Sequence, residues 1–280
     1  QAIIPLAGLG TRLLPLTSVF AKELLPINGK PGIEYIIEEC IDAGIKEIIF
    51  IISKKKLMIK KYFYSDNFYK QLIKKKKDPR IISEYKKILK YKKMIKFVYQ
   101  NKPLGTGDAV LKTKKLISNK YFLMLLPDDL IIKKNCSKSM IKIHKKYNSS
   151  VMASMSVRKN NVSRWGIYNL KTKLDKNNYL ISGVTEKPSI SKAPSNKAVI
   201  GRYILPKLIF KKLENLKPGK GNEIHITDAI QLLINENKKF IAHNLEGKYL
   251  DCGSMEGYIN SSKEISKLWS FAWLGPVMLD

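Results

Sequence analysis

Short apolar runs alternate with helix-like periodic segments along the first fifty residues. The runs from Ala2 to Leu6 and from Ile45 to Ile52 have the length and composition of buried strands. Between them, after Pro31, apolar residues recur at spacings of three and four from Ile33 to Ile41, which places them on one face of a helix. Gly44 follows as a helix end. The pattern predicts a βαβ unit, in which a right-handed crossover joins two parallel strands.

The same alternation continues through the rest of the chain. Further strands are predicted at Lys96–Gln100, Phe122–Leu126, Val151–Val157, Gly166–Asn169, a run ending in Thr185–Pro188, Val199–Leu205 and Lys248–Leu250. Further helices are predicted from Asp108, over Ser139–Tyr147 and over Thr227–Asn235. Since no repeat of fixed period and no long linker is visible, we expect one domain over residues 1–268. Residues 269–280 lose the lysine bias of the rest and form an atypical C-terminal tail.

The charge balance is strongly basic. The 280 residues include 52 Lys or Arg and 23 Asp or Glu, a formal net charge of +29, which is typical of proteins that meet nucleic acid, anionic membranes or anionic substrates. Only five of the basic residues are Arg, the residue that base-reading and bidentate phosphate sites favour. We therefore expect an anionic substrate, with no specific nucleic acid and no membrane as partner.

Nearly half of the excess charge lies in residues 54–96, which hold 17 Lys or Arg and 3 Asp or Glu. Aromatic and aliphatic residues such as Tyr62, Phe63 and Ile73 are interleaved with the lysines. This arrangement predicts amphipathic helices with lysine on the outer face. A solvated surface is the favoured interpretation, over a patch that binds nucleic acid or a membrane.

Several protein classes are excluded by what the sequence does not contain. No apolar run is long enough to span a bilayer, and no secretory signal is visible. The three cysteines are far apart without CxxC spacing, and the three histidines are equally scattered. We expect neither a disulfide framework nor a zinc site, and a cytoplasmic location.

The loop after the first predicted strand has the composition of an anion-binding turn. Gly8 and Gly10 allow the backbone N–H groups to be exposed, and Arg12 supplies a cation beside them. Lys22, downstream in a Lys-Glu-Leu-Leu-Pro segment, is within reach of the same phosphates. The loop matches neither the Walker motif nor the dinucleotide-binding motif, so an ordinary tight turn is the alternative.

Carboxylates follow a second buried strand. Asp128 and Asp129 come directly after Phe122–Leu126, at the strand end where open α/β sheets bind their ligands. A carboxylate there can hold Mg²⁺, which proteins bind through one or two carboxylates together with substrate phosphates. A turn or a helix cap is the alternative. Asp251 is a plausible second carboxylate from a distant part of the chain.

These motifs together resemble a known enzyme family. The segments Leu6–Arg12 and Lys22–Pro26 are similar to the signature of the sugar-1-phosphate nucleotidyltransferases. Five later segments resemble the bacterial UTP–glucose-1-phosphate uridylyltransferases within that family: Glu186–Pro188, Ala193–Asn196 through Gly201–Tyr203, Gly221–Ile224, Thr227–Ile230 and Asp251–Gly253. The resemblance extends from about residue 2 to residue 265.

The resemblance implies a Rossmann-like α/β nucleotidyltransferase fold, with a mixed, mostly parallel central sheet flanked by helices. It also implies a cytoplasmic homodimer or homotetramer that uses Mg²⁺. The implied reaction joins UTP and α-D-glucose 1-phosphate to give UDP-glucose and pyrophosphate, by in-line attack on the α-phosphorus. The alternatives are dTTP with glucose 1-phosphate, UTP with N-acetylglucosamine 1-phosphate or, outside the enzymes, a basic nucleic-acid-binding protein.

The resemblance further implies the site residues. The nucleotide would be bound by Leu6, Ala7, Gly8, Gly10, Thr11, Gln100 and Gly105, of which Gln100 and Gly105 contact the uracil. Arg12, Lys22 and Lys187 would be catalytic, the first two by neutralising the β- and γ-phosphates and Lys187 by holding the sugar phosphate. Gly166, Glu186 and Asn196 would surround the sugar, and Asp128 and Asp251 would bind Mg²⁺. One departure is Asp108, since the family often has His after the second glycine loop.

Overall fold

The computed structural model of the protein describes residues 1–269, so the tail proposed from the sequence lies, from residue 270 onward, outside the described residues. The strands are β1 (Ala2–Pro5), β2 (Pro26–Ile27), β3 (Lys30–Pro31), β4 (Ile48–Ile52), β5 (Ile95–Tyr99), β6 (Tyr121–Leu125), β7 (Asp129–Ile132), β8 (Ser150–Ser156), β9 (Gly166–Lys173), β10 (Asn178–Glu186), β11 (Lys197–Pro206), β12 (Phe240–Asn244) and β13 (Lys248–Asp251). The helices are α1 (Gly32–Asp42), α2 (Leu57–Tyr64), α3 (Asp66–Lys76), α4 (Pro79–Met94), α5 (Thr106–Leu111), α6 (Cys136–Tyr147), α7 (Ile209–Asn215), α8 (Ile226–Asn235) and α9 (Met255–Trp269).

Nine strands form one central sheet in the order β5-β4-β1-β6-β11-β8-β12-β10-β9. The first four run parallel to one another, and the predicted βαβ unit is confirmed, with Ala2 paired to Ile48 and Pro5 to Ile51. In the other half only β8 and β12 are parallel, because β11 runs against its neighbours and β9 and β10 form a hairpin. The expectation of a mixed sheet flanked by helices is confirmed, with parallel pairing concentrated in the first half.

Two apolar clusters cover the two faces of the sheet. Successive side chains of a strand point to opposite faces, so Ile4 and Phe50 pack in one cluster with Ile33 of α1. Ile3 and Ile49 pack in the other, which includes apolar residues of α7 and α8. Burial on both sides explains why β1 and β4 read as continuous apolar runs rather than as alternating ones.

The lysine-rich segment is helical, as predicted. Helices α2 and α4 bury Ile59, Phe63, Ile88 and Tyr91, while α3 has no buried residue. Most of the segment's lysines are exposed, so its charge lies on a solvated surface. Lys56 is the exception, because its ammonium is buried against Glu23.

The carboxyl ends of β1, β4, β5 and β6 meet at one edge of the sheet, because these strands are parallel. The separate β7–β13 pair extends that edge and places Asp251 opposite Asp129. Two segments that are distant in the chain are thereby brought next to the loop that follows β1.

None of the helices within residues 1–269 combines the length and the apolar composition that crossing a membrane requires.

Candidate active site

The loop after β1 is held against the sheet at its start. The Leu6 N–H donates to the Ile51 carbonyl at 2.7 Å, and the Leu6 side chain is fully buried. Gly10 has a φ of 72°, in the left-handed region that favours glycine, and its carbonyl accepts from the Thr17 hydroxyl at 2.8 Å. Thr11 begins a short 3-10 turn and is exposed. The loop therefore leaves the sheet along one fixed path, with Ala7 and Gly8 at its inner end.

An open cavity of about 280 Å³ lies beside this loop, at the carboxyl edge of the sheet. Six of the residues assigned to the site from the sequence line it: Ala7, Gly8, Lys22, Gln100, Gly105 and Asp128. Leu6, Gly10, Thr11 and Arg12 belong to the same loop without lining the cavity. The fold thus brings together residues from the first 128 positions that the resemblance assigned to the nucleotide.

Asp128 forms the charged centre of this cavity. Its Oδ2 lies 2.8 Å from Lys22 Nζ and 3.5 Å from Arg12 Nη2, and the Arg12 side chain is 66% exposed. Burial opposes charge on Asp128, but the charge and hydrogen bond of Lys22, with the charge of Arg12, lower the pKa of the carboxyl. Burial likewise opposes charge on Lys22, and the Asp128 charge outweighs it and raises the pKa of Lys22. Both groups are therefore charged at neutral pH.

Asp251 meets Asp128 at Gly253. A Cβ added to Gly253 would lie 2.7 Å from Asp128 Oδ2, 2.8 Å from Arg12 Nη2 and 3.2 Å from Asp251 Oδ1, so only glycine leaves these groups in place. The Gly253 N–H and the Ser254 hydroxyl both donate to the Asp251 carboxylate, at 2.8 and 3.2 Å. The two carboxylates predicted from the sequence thus converge on one point, with oxygen atoms available to a cation.

The donor set fits a magnesium ion. Among residues 1–269 no group of three or more His, Cys, Asp or Glu side chains could hold a metal by itself. Mg²⁺ needs fewer protein ligands, since substrate phosphates and water complete its shell. Carboxylate oxygens without sulfur or imidazole donors also favour Mg²⁺ over zinc. Asp128 and Asp251 are the residues that would bind it.

The backbone that carries Asp128 is clamped from below by Arg202. The Arg202 guanidinium is fully buried, pairs with Glu39 at 2.7 Å, and donates to the Leu126 and Asp129 carbonyls at 3.2 and 2.7 Å. Asp129 itself points away from the cavity cations and accepts from Tyr249 Oη and the Gly201 N–H, both at 2.7 Å. Its burial and the charge of Asp128 raise the pKa of Asp129 to about 6. Asp129 is a structural partner, whereas Asp128 faces the site.

The second glycine loop closes the far side of the cavity. A Cβ on Gly105 would lie 2.5 Å from the Ile224 carbonyl oxygen, and the φ of Gly105 is 95°, so both space and conformation require glycine. The Ile224 N–H donates to the Leu104 carbonyl at 2.8 Å, and the Gly107 N–H donates to the Ile224 carbonyl at 2.7 Å. These bonds seat the loop on residues 223–224, next to Gln100.

Three of the four residues assigned to the sugar lie at the open end of the β9–β10 hairpin, and Asn196 lies directly before β11. Gly166 pairs with Glu186, and the Glu186 Oε2 atom lies 3.0 Å from the position of a Cβ on Gly166. Lys187 follows with a φ of 43°, and its N–H donates to the Trp165 carbonyl at 3.0 Å. Asn196 is exposed, and its carbonyl accepts from the Val157 N–H.

An aromatic contact connects this hairpin to the carboxylates. The Trp165 ring packs edge-on against the Tyr249 ring, with centroids 5.6 Å apart, and the Tyr249 hydroxyl donates to Asp129. Trp165 directly precedes Gly166, and Tyr249 lies two residues before Asp251. Chain neighbours of the residues assigned to the sugar and to the metal are therefore in direct contact.

Comparison with known proteins places the chain among the nucleotidyltransferases. The model of the nucleotidyl transferase family matches residues 1–267. The chain belongs to this family. Nucleotidyltransferases of this family generally use a divalent metal ion.

Relatives and solved structures with full-length similarity carry more specific names. The UTP–glucose-1-phosphate uridylyltransferase 2 of Streptococcus pyogenes serotype M3 is 37% identical over 270 residues, which cover 94% of this chain and 88% of the relative. The crystal structure of a UDP-glucose pyrophosphorylase complexed with UDP-glucose matches with a TM-score of 0.83 and 37% identity, over 95% of this chain and 98% of that one. A UTP-bound UDP-glucose pyrophosphorylase from Acinetobacter baumannii matches with a TM-score of 0.85 and 32% identity, over 94% and 92%.

Several residues at the site were not assigned from the sequence. Glu23, Thr106 and Glu223 line the cavity, and Asp108 bonds to Gln100. Glu23 and Glu223 lie inside segments that carry the family resemblance, so their positions were marked without their roles. Asp108 was noted in the sequence as a departure from the family pattern. The structure adds that it accepts a hydrogen bond from Gln100.

Proposed function

We propose that this protein transfers the uridylyl group of UTP to α-D-glucose 1-phosphate and forms UDP-glucose and pyrophosphate. One observation carries the proposal. The cavity at the carboxyl edge of the sheet joins a glycine turn, the Lys22–Asp128 pair and the Gln100–Gly105 loop. The names of the full-length relatives support the choice of substrates.

The proposed reaction is a single displacement at phosphorus. A phosphate oxygen of glucose 1-phosphate attacks the α-phosphorus of UTP, and a new phosphorus–oxygen bond forms. The bond from the α-phosphorus to the oxygen that bridges to the β-phosphorus breaks, and pyrophosphate leaves with that electron pair. Such a reaction needs little covalent catalysis, and it depends on positioning and on neutralisation of negative charge.

Each part of the proposed mechanism has residues that suit it. The backbone at Ala7 and Gly8 would hold the triphosphate at the end of β1, and Lys22 and Arg12 would neutralise the β- and γ-phosphates. Asp128 and Asp251 would hold Mg²⁺, which supplies further positive charge to the phosphates when bound.

The other substrate would lie toward the β9–β10 hairpin. Lys187 would bind the phosphate of glucose 1-phosphate, and Glu186 with Gly166 would face the sugar hydroxyls, with Asn196 nearby. The contact of Trp165 with Tyr249 supports this placement, since it sets the hairpin beside the carboxylates.

A pyrophosphate-release assay tests the proposal. With Mg²⁺ present, UTP and dTTP are each combined with glucose 1-phosphate and with N-acetylglucosamine 1-phosphate. Selective release with UTP and glucose 1-phosphate is the expected result. Release with dTTP or with the N-acetylated sugar instead would reassign the substrates. No release in any combination from folded protein would refute the activity.

We also propose that the protein acts as a cytoplasmic homodimer or homotetramer. The molar mass from light scattering during gel filtration measures the assembly. A mass near 32.0 kDa, the mass of one chain, would contradict it.

A further inference from the structure

The side-chain amide of Gln100 is held on one side only. Its Nε2 donates to the Gly105 carbonyl at 3.0 Å and to Asp108 Oδ2 at 2.8 Å. No other described residue donates a hydrogen bond to Gln100 Oε1. This oxygen is also not one of the buried side-chain atoms that lack both solvent contact and a hydrogen-bond partner. Gln100 lines the nucleotide cavity although the residue is only 6% exposed. The donors of the amide are therefore committed to Gly105 and Asp108, and its oxygen is left to accept from a ligand beside Gln100, which lines both this cavity and a second one.

Chemistry fixes this orientation. A carbonyl oxygen and a carboxylate accept hydrogen bonds and donate none, so neither partner of Nε2 tolerates the amide oxygen in its place. Turning the amide over would set Oε1 against two acceptors and leave both of them without a donor. The carboxylate of Asp108 is what makes the preference strong, since hydrogen bonds to a charged acceptor are the stronger ones.

Asp108 acts from outside the nucleotide cavity. The residue is 5% exposed and borders a second cavity on the other side of Gln100, where Lys112 lies 3.2 Å from its Oδ1. It also lies in the first turn of α5, where the helix dipole favours a negative charge. Asp108 Oδ1 is thus paired with the Lys112 ammonium, and Asp108 Oδ2 accepts the hydrogen bond from Gln100.

We propose that Asp108 is a positioning residue for base selection, which locks Gln100 so that its oxygen accepts the N3–H of uracil. The inference rests on the proposed uridylyl transfer. In a uracil nucleotide N3–H is the base's only N–H, because N1 carries the ribose. In cytosine the N3 atom is an acceptor, so the same pose would place two lone pairs face to face. Thymine has the same N3–H as uracil and is not distinguished by this device.

The variant Asp108→Asn tests the lock directly. Asparagine keeps the shape of aspartate but removes the charged acceptor, and its amide can donate to Gln100 Oε1. The Gly105 carbonyl alone then opposes turning of the Gln100 amide, so the orientation that presents Nε2 to the cavity becomes populated. The values of kcat/KM for pyrophosphate release are measured with UTP, dTTP and CTP at fixed glucose 1-phosphate and Mg²⁺. We expect the UTP to CTP ratio to fall by about tenfold or more, the size typical of a buried polar group that loses its partner. The UTP to dTTP ratio should stay at the wild-type value.

Two further variants separate the lock from general damage. Lys112→Met removes the other partner of Asp108 and leaves the bond to Gln100, so its UTP to CTP ratio should match wild type. Asp108→Ala removes the lock without supplying a donor and should lower the ratio to an intermediate value; it also replaces Asp108→Asn if that variant does not fold. A loss of folded protein lowers all three rates together and leaves the ratios unchanged.

An unchanged UTP to CTP ratio in both Asp108 variants would overturn the inference while wild-type turnover upholds the proposed function. If the wild type shows no turnover, the proposed function fails, and calorimetric binding of UTP and CTP with Mg²⁺ still decides the inference. A preference for UTP that Asp108→Asn abolishes would support it, and equal binding of the two nucleotides by the wild type would refute it.

Discussion

Asp128 lies between the Lys22 ammonium and the Arg12 guanidinium, and its carboxylate approaches that of Asp251 at Gly253. Its lowered pKa follows from these cations, whose effect exceeds that of burial. The same charge that attracts Lys22 is suited to Mg²⁺. One side chain can therefore both hold Lys22 in the cavity and help to bind the ion that accompanies the triphosphate.

The variant Asp128→Asn should lose Mg²⁺-dependent turnover and keep its fold. Asparagine has nearly the same size, but its neutral amide neither holds Lys22 as an ion pair nor binds Mg²⁺ as a carboxylate does. The measurement is pyrophosphate release against Mg²⁺ concentration, with circular dichroism as the check on folding. Wild-type activity in this variant would remove Asp128 from the metal site.

The variant Lys187→Ala should lower kcat/KM for glucose 1-phosphate by about 10²–10³-fold, the scale of losing one preorganised group in a polar site. The reason is the loss of the cation that we propose holds the sugar phosphate. Saturation curves for glucose 1-phosphate and for UTP measure the effect separately. Lys192→Ala, at a nearby exposed lysine, is the matched control and should behave as wild type. Equal effects of the two variants would contradict the assignment.

At the scale of elements, the turn from β6 to β7 is held by a buried ion pair. Arg202 of β11 and Glu39 of α1 are both buried and joined through two guanidinium nitrogens, at distances from 2.7 to 3.1 Å. The remaining donors of Arg202 bind carbonyls of the turn at Leu126 and Asp129. The position of Asp128 thus depends on three elements that are distant in sequence.

The variant Arg202→Met should destabilise the protein by about 3–5 kcal/mol, because it leaves the buried Glu39 carboxylate without its cation and the two turn carbonyls without the donors of Arg202. The hydrogen bonds that Ser137 donates to Glu39 remain and do not replace the lost positive charge. Chemical unfolding followed by circular dichroism measures the loss. Arg80→Met is the matched control, since Arg80 pairs with Asp78 at the solvated start of α4 and its removal should have no measurable effect. A similar loss for both variants would show that burial of the Arg202 pair is not the cause.

Strand β12 carries a buried histidine that should make stability depend on pH. His243 Nδ1 lies 2.8 Å from Asn178 Oδ1, and the buried Nε2 atom has no partner among the described residues. Burial lowers the pKa of His243 below its usual 6.5, against the weaker opposing charges of Glu246 and Asp175. The pKa of His243 is therefore lower in the folded protein than in the unfolded chain. The stability that comes from keeping His243 neutral is fully present above pH 6.5 and is lost as the pH falls through the folded pKa.

The variant His243→Gln should therefore reduce the loss of stability on acidification below pH 6.5. The free energy of unfolding is measured for wild type and variant at a series of pH values from 7.5 downward. Parallel curves for wild type and His243→Gln would show that His243 does not contribute.

Elements with a clear apolar period were predictable from the sequence, and those with a polar or short pattern were not. The βαβ unit at the beginning of the chain was predicted from two continuous apolar runs and one apolar helix face. Its strands differ from the prediction by a few residues at their ends. Helix α9 buries few of its side chains, among them Ile265 and Ser261, so its sequence gives little helical signal. Strand β12 was missed because it is short and includes His243, which is buried between β8 and β10.

At the scale of the whole molecule, the site depends on contacts that no local pattern encodes. The turn at Gly8, which we propose binds the triphosphate, could be marked from residue types alone, because its glycines and Arg12 lie in one loop. The convergence of Asp128 and Asp251 depends on the β7–β13 pairing. The sequence marked Asp251 as a possible second carboxylate, but no local pattern places it beside Asp128. The bond from Gln100 to Asp108 depends on the path of the second glycine loop, which the sequence predicts only as a turn.

The net charge of +29 is not concentrated in the segments that form the site, since nearly half of it lies in residues 54–96. Its densest part, on α2 to α4, covers an apolar face that includes Phe63 and Tyr91 and packs on the sheet. The lysines of these helices lie on the solvent side, so their charge forms the outer face of helices that pack on the sheet through their apolar face.

The fate of the α-phosphorus of UTP tests the proposed uridylyl transfer most directly. Purified protein is incubated with Mg²⁺, glucose 1-phosphate and UTP labelled at the α-phosphorus, and the products are separated by anion exchange and identified by mass spectrometry. We expect all transferred label to appear in UDP-glucose, in an amount equal to the pyrophosphate released. Label that stays in UTP, or that is released as UMP without UDP-glucose, would contradict it.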